Sequence, residues 1–475
     1  MKESIIRLRA LEKQRFAYRY ALNVVDFDAE TVAPEGSADG RAEACEVLSR
    51  ADFDLLVNDN TAALLRQATQ DAETEQERAE VRELQRAYDQ ISKIPADEYA
   101  AFTKLTQQSI PAWVKAKRTN DFSVFAPYLE KIVAARRAQA HYFAPDRDPY
   151  EVLLDQYEHG LTIAQCDEFF ATLRETIVPL LADIRDHGTP IRTDFLDQDW
   201  PIDAQRKVSE KIMQLWGLDP AHCYLAESEH PFTTEFWRGD VRITTHYMSR
   251  DMFSNLYSVA HEGGHALYEL NIDPAYDYTA VTGGATMGIH ESQSRLFENY
   301  VGRSRAFVHC LYPTLRELFP TQLADVTEEE IWRAVNRAGP DPYRGRRADL
   351  RAAHHGALRD RESADPGHAG RGRPARRLER QVQGVPGRGR ARQRPRLPAG
   401  HSLVDGRHWL LPQLCAGQRL RCPGHRRPAQ EHGSGRSVGC RRHGASEGRA
   451  ERACMAVGQH EGTPVAGAKP VRRQV

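Results

Sequence analysis

His261, Glu262 and His265 stand together in the run NLYSVAHEGGHALYEL (residues 255–270), whose apolar positions recur at helical period. On a helix, positions i and i+4 share a face about one turn apart. The two imidazoles therefore converge on one point, the bite that a tetrahedral divalent ion such as Zn²⁺ takes. Glu262, beside the first of them, can hydrogen-bond a water on that ion without binding the ion itself, and so serve as a general base. Gly263 and Gly264 lie between the histidines, and each costs a helix about 1 kcal/mol relative to alanine. Read from sequence, they leave room for a substrate backbone to approach.

A site of this kind needs one more protein ligand and keeps a fourth position for water. Residues 288–300, GIHESQSRLFENY, read as a second helix with His290 and Glu291 at its start. Glu291 is the expected third ligand. Glu298 is an alternative, seven residues later on about the same face. Glu269 is another, but it sits one turn past His265 and is expected to point away. The chemistry is hydrolysis: the ion polarises a carbonyl and activates a water, and Glu262 moves the proton to the leaving amine.

The elements that must carry these residues are mostly helical. Stretches such as FDLLVNDNTAALLRQA (53–68), YLEKIVAARRAQAHYF (128–143), EVLLDQYEHG (151–160) and 163–186 repeat apolar residues at three and four. Alternation of the strand kind is almost absent until VRITTHYM (241–248), which predicts one short strand near the site. No internal repeat is visible. The expectation is a mostly α protein, one large helical metallopeptidase domain over 1–338 with a small β element near the active site.

Charge and leader signals narrow the setting. The formal net charge is −1 over 475 residues, which gives no reason to expect a nucleic-acid partner. The opening MKESIIRLRALEKQRF has no apolar core of a secretory signal, and no apolar run reaches the span of a bilayer. Cys45, Cys166, Cys223 and Cys310 are scattered singly, as free thiols in a reducing cytoplasm would be.

Several segments in order carry a family likeness: HEGGHALYE, IHESQSRLFEN, HPFTTEF (230–236), DVRITTHY (240–247), NDFSVFAPYLEKIV and DPYEVLLDQYEHG. From its start to about residue 338 the chain resembles the M32 carboxypeptidases, the thermostable carboxypeptidase Taq family. The resemblance implies a helical, often dimeric, metal-dependent enzyme that removes C-terminal residues from peptides with broad specificity. It implies Zn²⁺ (with Co²⁺ or Mn²⁺ as other options), the ligands His261, His265 and Glu291, and Glu262 as base. It also implies that His230 and Arg242 line the substrate cleft. An exopeptidase further needs a group to capture the terminal carboxylate, most suitably an arginine.

Beyond about Gly339 the composition changes to Arg, Gly, Pro, Ala and His; after residue 340 there is no Ile or Phe, with Tyr343 and Lys469 alone of their kinds. Such a stretch can hardly build a core. A disordered basic tail that binds nucleic acid, an unrelated extra domain and a frameshift in a GC-rich gene compete to explain it. The family brings segments like ADELTY…H and GYFPSY in this region, and neither is present. Reverse translation of Arg346 to Glu362, read one nucleotide later, can spell DELTYALHIMVRYEIE. The same offset over Arg407 to Arg419 can spell AIGYFPSYALGSA. Two missing segments recovered in order at one offset favour the frameshift. On that reading 339–475 is not expected to fold natively, and His354, His355, Cys415 and Cys422 are accidents of the frame.

Overall fold

A computed structural model describes residues 1–338; the proposed frameshifted stretch 339–475, with its histidines and cysteines, lies outside the described residues. The helices are α1 (Glu3–Thr31), α2 (Ala38–Leu56), α3 (Asp59–Asp71), α4 (Glu75–Ile91), α5 (Ala96–Thr119), α6 (Ala126–Phe143), α7 (Pro149–Asp155), α8 (Ile163–His187) and α9 (Ile202–Trp216). Three strands follow, β1 (Cys223–Glu227), β2 (Thr233–Trp237) and β3 (Asp240–Thr245). Then come α10 (Met252–Leu270), α11 (Met287–Arg295) running on as a π-helical turn (Leu296–Val301), α12 (Arg305–Leu318) and α13 (Glu328–Asn336).

Local signals set many of these boundaries. Thr74 with Glu77, Thr162 with Gln165, and Thr327 with Glu330 form capping boxes that start α4, α8 and α13. Inside the apolar run 53–68, Asn58 accepts from Thr61 N and opens a new helix, so the run divides between α2 and α3. The helical reading of 151–160 ends early, at Asp155. Asp155 accepts from Gly160 N, and Gly160 turns the chain at φ +78°, a conformation glycine adopts at little cost.

The β element is larger than the sequence suggests. β3 lies in the middle, parallel to β1 and antiparallel to β2. Val241 and Ile243 of β3 join the main core with Met252, Leu256, Val259 and Ala260 of α10. On the other face α1 reaches the sheet: Tyr20 Oη donates to Asp240 (2.6 Å) and Asn23 Nδ2 to the Glu235 carbonyl (3.0 Å). β1 and β2 are five residues each and their burial does not alternate, so they carry little of the in–out pattern that marks a half-exposed strand. That is why only β3 was legible.

The main core is centred on α9, α10 and α12, where Trp200 meets Phe253 and Phe319 edge to face. A separate cluster of Ile5, Leu8, Leu56, Leu65, Val81 and Leu84 holds α1 to α4 together.

Candidate metal centre

Helix α10 carries the two histidines, and its neighbours set how closely other groups approach. Asp251 caps its start, accepting from Ser254 N. A Cβ on Gly264 would stand 2.8 Å from Ser294 Cα and 3.0 Å from the Gln293 carbonyl oxygen of α11. A Cβ on Gly263 would stand 2.8 Å from Trp216 and 3.2 Å from Leu218. Both glycines are therefore helix-packing positions, buried against α11 and α9. This corrects the expectation that they clear space for substrate. What Gly264 clears is the close approach of α11, and with it of Glu291.

His261 Nε2 lies 3.6 Å from Glu291 Oε2, and His265 Nε2 lies 3.4 Å from the same oxygen. One donor atom from each of the three residues falls within 4.8 Å of the others. Bonds of about 2.0–2.1 Å at a tetrahedral angle put neighbouring ligand atoms about 3.3 Å apart. The cluster therefore fits a tetrahedral divalent ion with two imidazoles, one carboxylate and one open position. It is the one such group of His, Cys, Asp and Glu among the described residues.

Each of the three side chains is held from behind. His261 Nδ1 faces Glu298 Oε2 at 3.0 Å. Arg295 donates to Glu291 Oε1 (2.6 Å) and to Glu298 Oε2 (2.8 Å), and Arg303 donates to Glu298 Oε1 (3.1 Å). Arg303 also reaches the Val335 carbonyl (2.7 Å) and lies 3.8 Å over the Tyr257 ring. His265 Nδ1 lies 2.6 Å from His290 Nδ1, and His290 Nε2 lies 2.6 Å from Glu269 Oε1. Of the alternatives for third ligand, Glu298 thus meets the outer nitrogen of His261. Glu269 is buried rather than turned away, and it meets His290.

Protonation follows from these contacts. Burial and the neighbouring His290 and His261 push His265 down to about 3, so its imidazole is neutral. Burial works against a charge on His261, yet Glu291 and Glu298 carry its pKa above the usual value. Burial works against the Glu291 carboxylate too, but Arg295 and the two histidines hold it well below the ordinary range. Glu262 goes the other way: burial, with Glu291 and Glu298 nearby, raises its pKa, opposed by His261 and by Thr233. Thr233 Oγ1 of β2 donates to Glu262 Oε2 at 2.7 Å. A raised carboxyl pKa suits a general base that works near neutrality.

The two residues expected to line a substrate cleft sit differently. His230 lies in the loop between β1 and β2, where its carbonyl accepts from Ser228 Oγ at 2.7 Å. Arg242 pairs across the sheet with Thr234, whereas Thr233 pairs with Ile243. Arg242 is therefore on the face opposite the one that meets Glu262. Its guanidinium makes two bonds to Asp240 (2.9 and 2.8 Å) and lies 4.1 Å over the Phe236 ring. The structure does not bring it to the cluster.

Sequence reasoning missed Thr233, Arg295 and Arg303. It named His290 and Glu269 without the role they have. Arg295 carried a usable signal, four residues after Glu291 and three before Glu298 on one helix face. Thr233 carried none, since its neighbour is 29 residues away on another element. A further missed group is Glu158, which accepts from Gly288 N (3.0 Å) and lies 3.3 Å from Thr286 Oγ1 at the start of α11. The early end of α7 is what turns Glu158 to that helix N-terminus.

A helical chain that converges HExxH and a downstream glutamate on one point defines a helical metallopeptidase of the HExxH kind. The family model for Carboxypeptidase Taq (M32) metallopeptidase matches residues 7–359, past the boundary near residue 338 that composition draws. The chain belongs to that family, the M32 carboxypeptidases. Carboxypeptidase 1 of Bacillus subtilis (strain 168) is 35% identical over 325 residues, covering 68% of this chain and 65% of the relative. The matched stretch thus spans just under two thirds of that relative's length. Thermostable carboxypeptidase 1 of Pyrococcus furiosus is 34% identical over 346 residues, covering 71% and 68%. The BsuCP crystal structure superposes with a TM-score of 0.82 at 28% identity, over 88% of this chain and 84% of that one.

Proposed function

We propose that the chain is a zinc-dependent carboxypeptidase that hydrolyses the C-terminal peptide bond of peptides with broad specificity. The observation that carries this is the convergence of His261, His265 and Glu291 at tetrahedral spacing, with the Glu262 carboxyl beside them. A divalent ion held there supplies a Lewis acid and an activated water. Zn²⁺ suits two neutral imidazoles and a carboxylate at these distances, with Co²⁺ and Mn²⁺ as other options. Glu262 takes the proton of the attacking water and gives it to the leaving amine. Thr233 holds the carboxyl in place for both transfers. Peptides are the substrates on this reading, and nucleic acid and membrane play no part. No helix among the described residues is long and apolar enough to cross a membrane. The free thiols of Cys45, Cys166, Cys223 and Cys310 suit the cytoplasm. The family resemblance supports a homodimer.

We further propose that the enzyme domain covers 1–338 and that 339–475 is out of frame. The substrate-carboxylate arginine would then belong to the lost segment, which agrees with Arg242 being committed to Asp240. Leu296 and Tyr300, on the turn that follows the Glu291 helix, are 39% and 56% exposed and would be covered by restored helices.

The test pairs a peptide with a free C-terminus and its C-terminally blocked twin, incubated with zinc-loaded protein. Release of single residues from the free peptide alone is expected. Cleavage that survives the block would assign an endopeptidase or dipeptidase on the same site. Zinc bound without turnover would assign an inactive remnant. An independent read of the coding DNA across codons 330 to 420 tests the frame: a base missing or extra relative to the source molecule would restore the C-terminus, and a sequence that stands as given would place the shift in the gene itself.

A further inference from the structure

His290 and Glu269 have no place in the peptide-cleaving scheme, yet Glu269 is buried and His290 half-buried beside it. His265 Nδ1 and His290 Nδ1 are 2.6 Å apart, and His290 Nε2 and Glu269 Oε1 are 2.6 Å apart. If His265 Nε2 faces an ion, its Nδ1 must carry the proton. His265 Nδ1–H then donates to His290 Nδ1, and His290 Nε2–H donates to Glu269. One tautomer of each ring satisfies every contact in the chain.

The same chain ties down the loop 271–286 between the two metal-bearing helices. Glu269 Oε1 also accepts from Gly284 N (2.9 Å), and Tyr268 Oη accepts from Ala285 N (3.2 Å). The Tyr268 ring meets His290 edge to face at 5.1 Å. A Cβ on Gly284 would come within 2.5 Å of His290 Cδ2 and 3.0 Å of Tyr268. The end of the loop, the last turn of α10 and the first turn of α11 thus close around one imidazole. His261 is served differently: its outer nitrogen faces Glu298, a carboxylate pinned by Arg295 and Arg303.

We propose that His290 is a positioning residue for the metal centre. Anchored by Glu269 and Gly284, it sets the ring orientation and tautomer of His265, so that metal affinity depends on how the α10–α11 loop is seated. The proposal rests on the reading of His261, His265 and Glu291 as ligands. Loss of an outer hydrogen-bond partner of a metal-bound histidine typically costs about 10–100-fold in affinity.

The experiment is zinc affinity by competition with a chromophoric chelator, with thermal melting of the metal-free proteins alongside. His290→Leu is expected to bind zinc about 10–100-fold more weakly than wild type. His290→Asn places an oxygen near the lost Nδ1 and is expected to recover most of that affinity. Glu269→Leu should weaken binding, and the double variant should be little worse than His290→Leu, since the two act through one chain. Gly284→Ala leaves every metal-facing side chain in place and should weaken zinc binding by displacing His290. Wild-type affinity in His290→Leu or in Gly284→Ala, with His265→Ala still losing zinc, would overturn the positioning chain alone. Zinc affinity indifferent to His265→Ala would overturn the ligand reading and this chain with it. A variant that melts like wild type without metal, yet binds zinc weakly, separates positioning from a general loss of fold.

Discussion

At the scale of single residues, burial raises the Glu262 pKa, while His261 and the hydrogen bond from Thr233 lower it. On the proposed mechanism Glu262→Gln removes the base but leaves the His261, His265 and Glu291 donor atoms, so zinc should still bind while turnover falls about 10²–10⁴-fold. Thr233→Val removes the hydrogen bond that favours the carboxylate. The Glu262 pKa should then rise further. Because the base acts only when deprotonated, the acidic limb of the kcat/KM profile should move to higher pH. A limb that stays put or moves to lower pH would show that another group sets it.

At the scale of elements, the centre depends on how α10 and α11 press together. Gly264 allows that contact, and a methyl there would meet backbone rather than a movable side-chain tip. Gly264→Ala should cost about 1–3 kcal/mol of stability and weaken zinc binding together, as read by melting and chelator competition. Arg295 lies between two carboxylates, with its side chain 9% exposed and theirs 7% and 5%. Arg295→Ala leaves the buried Glu291 without its guanidinium partner and Glu298 with Arg303 as its one remaining arginine, and a loss of about 3–5 kcal/mol is expected in denaturant titration. The π-helical turn Leu296–Val301 directly follows this arginine and holds Glu298, which stays buried and facing His261. Such turns recur at functional sites because they re-aim side chains on an otherwise regular helix.

For the whole molecule, the proposed frameshift makes a direct comparison possible. A chain with the frame restored should melt at a higher temperature and turn over peptide faster than the chain as written; equal melting and turnover would sink that proposal. Zinc should stabilise either chain, by about 2.7 kcal/mol at 100 times Kd, and His265→Ala should abolish the effect. The helical class and the helices that carry His261, His265 and Glu291 were legible along the chain. Two of the three strands among the described residues were not, because each is five residues long and its burial does not alternate. Val241 and Ile243, by contrast, kept a clear alternation, because one face of β3 is core.

What the sequence alone determined is the part of the site that a single helix enforces. Four residues make about one turn, so His261 and His265 face one way in any fold that keeps that segment helical, and Glu262 must flank them. Composition determined the other sharp feature, the change near residue 339. What only the tertiary structure decided is which distant groups complete the centre. Thr233 reaches Glu262 from a strand, Arg295 joins Glu291 to Glu298, and His290 carries His265 to Glu269 and the loop beyond. It also turned Arg242 to the far face of the sheet through strand register. Spacing along the chain controls what one element presents. Contacts between elements depend on register and packing, to which the short-range pattern is blind.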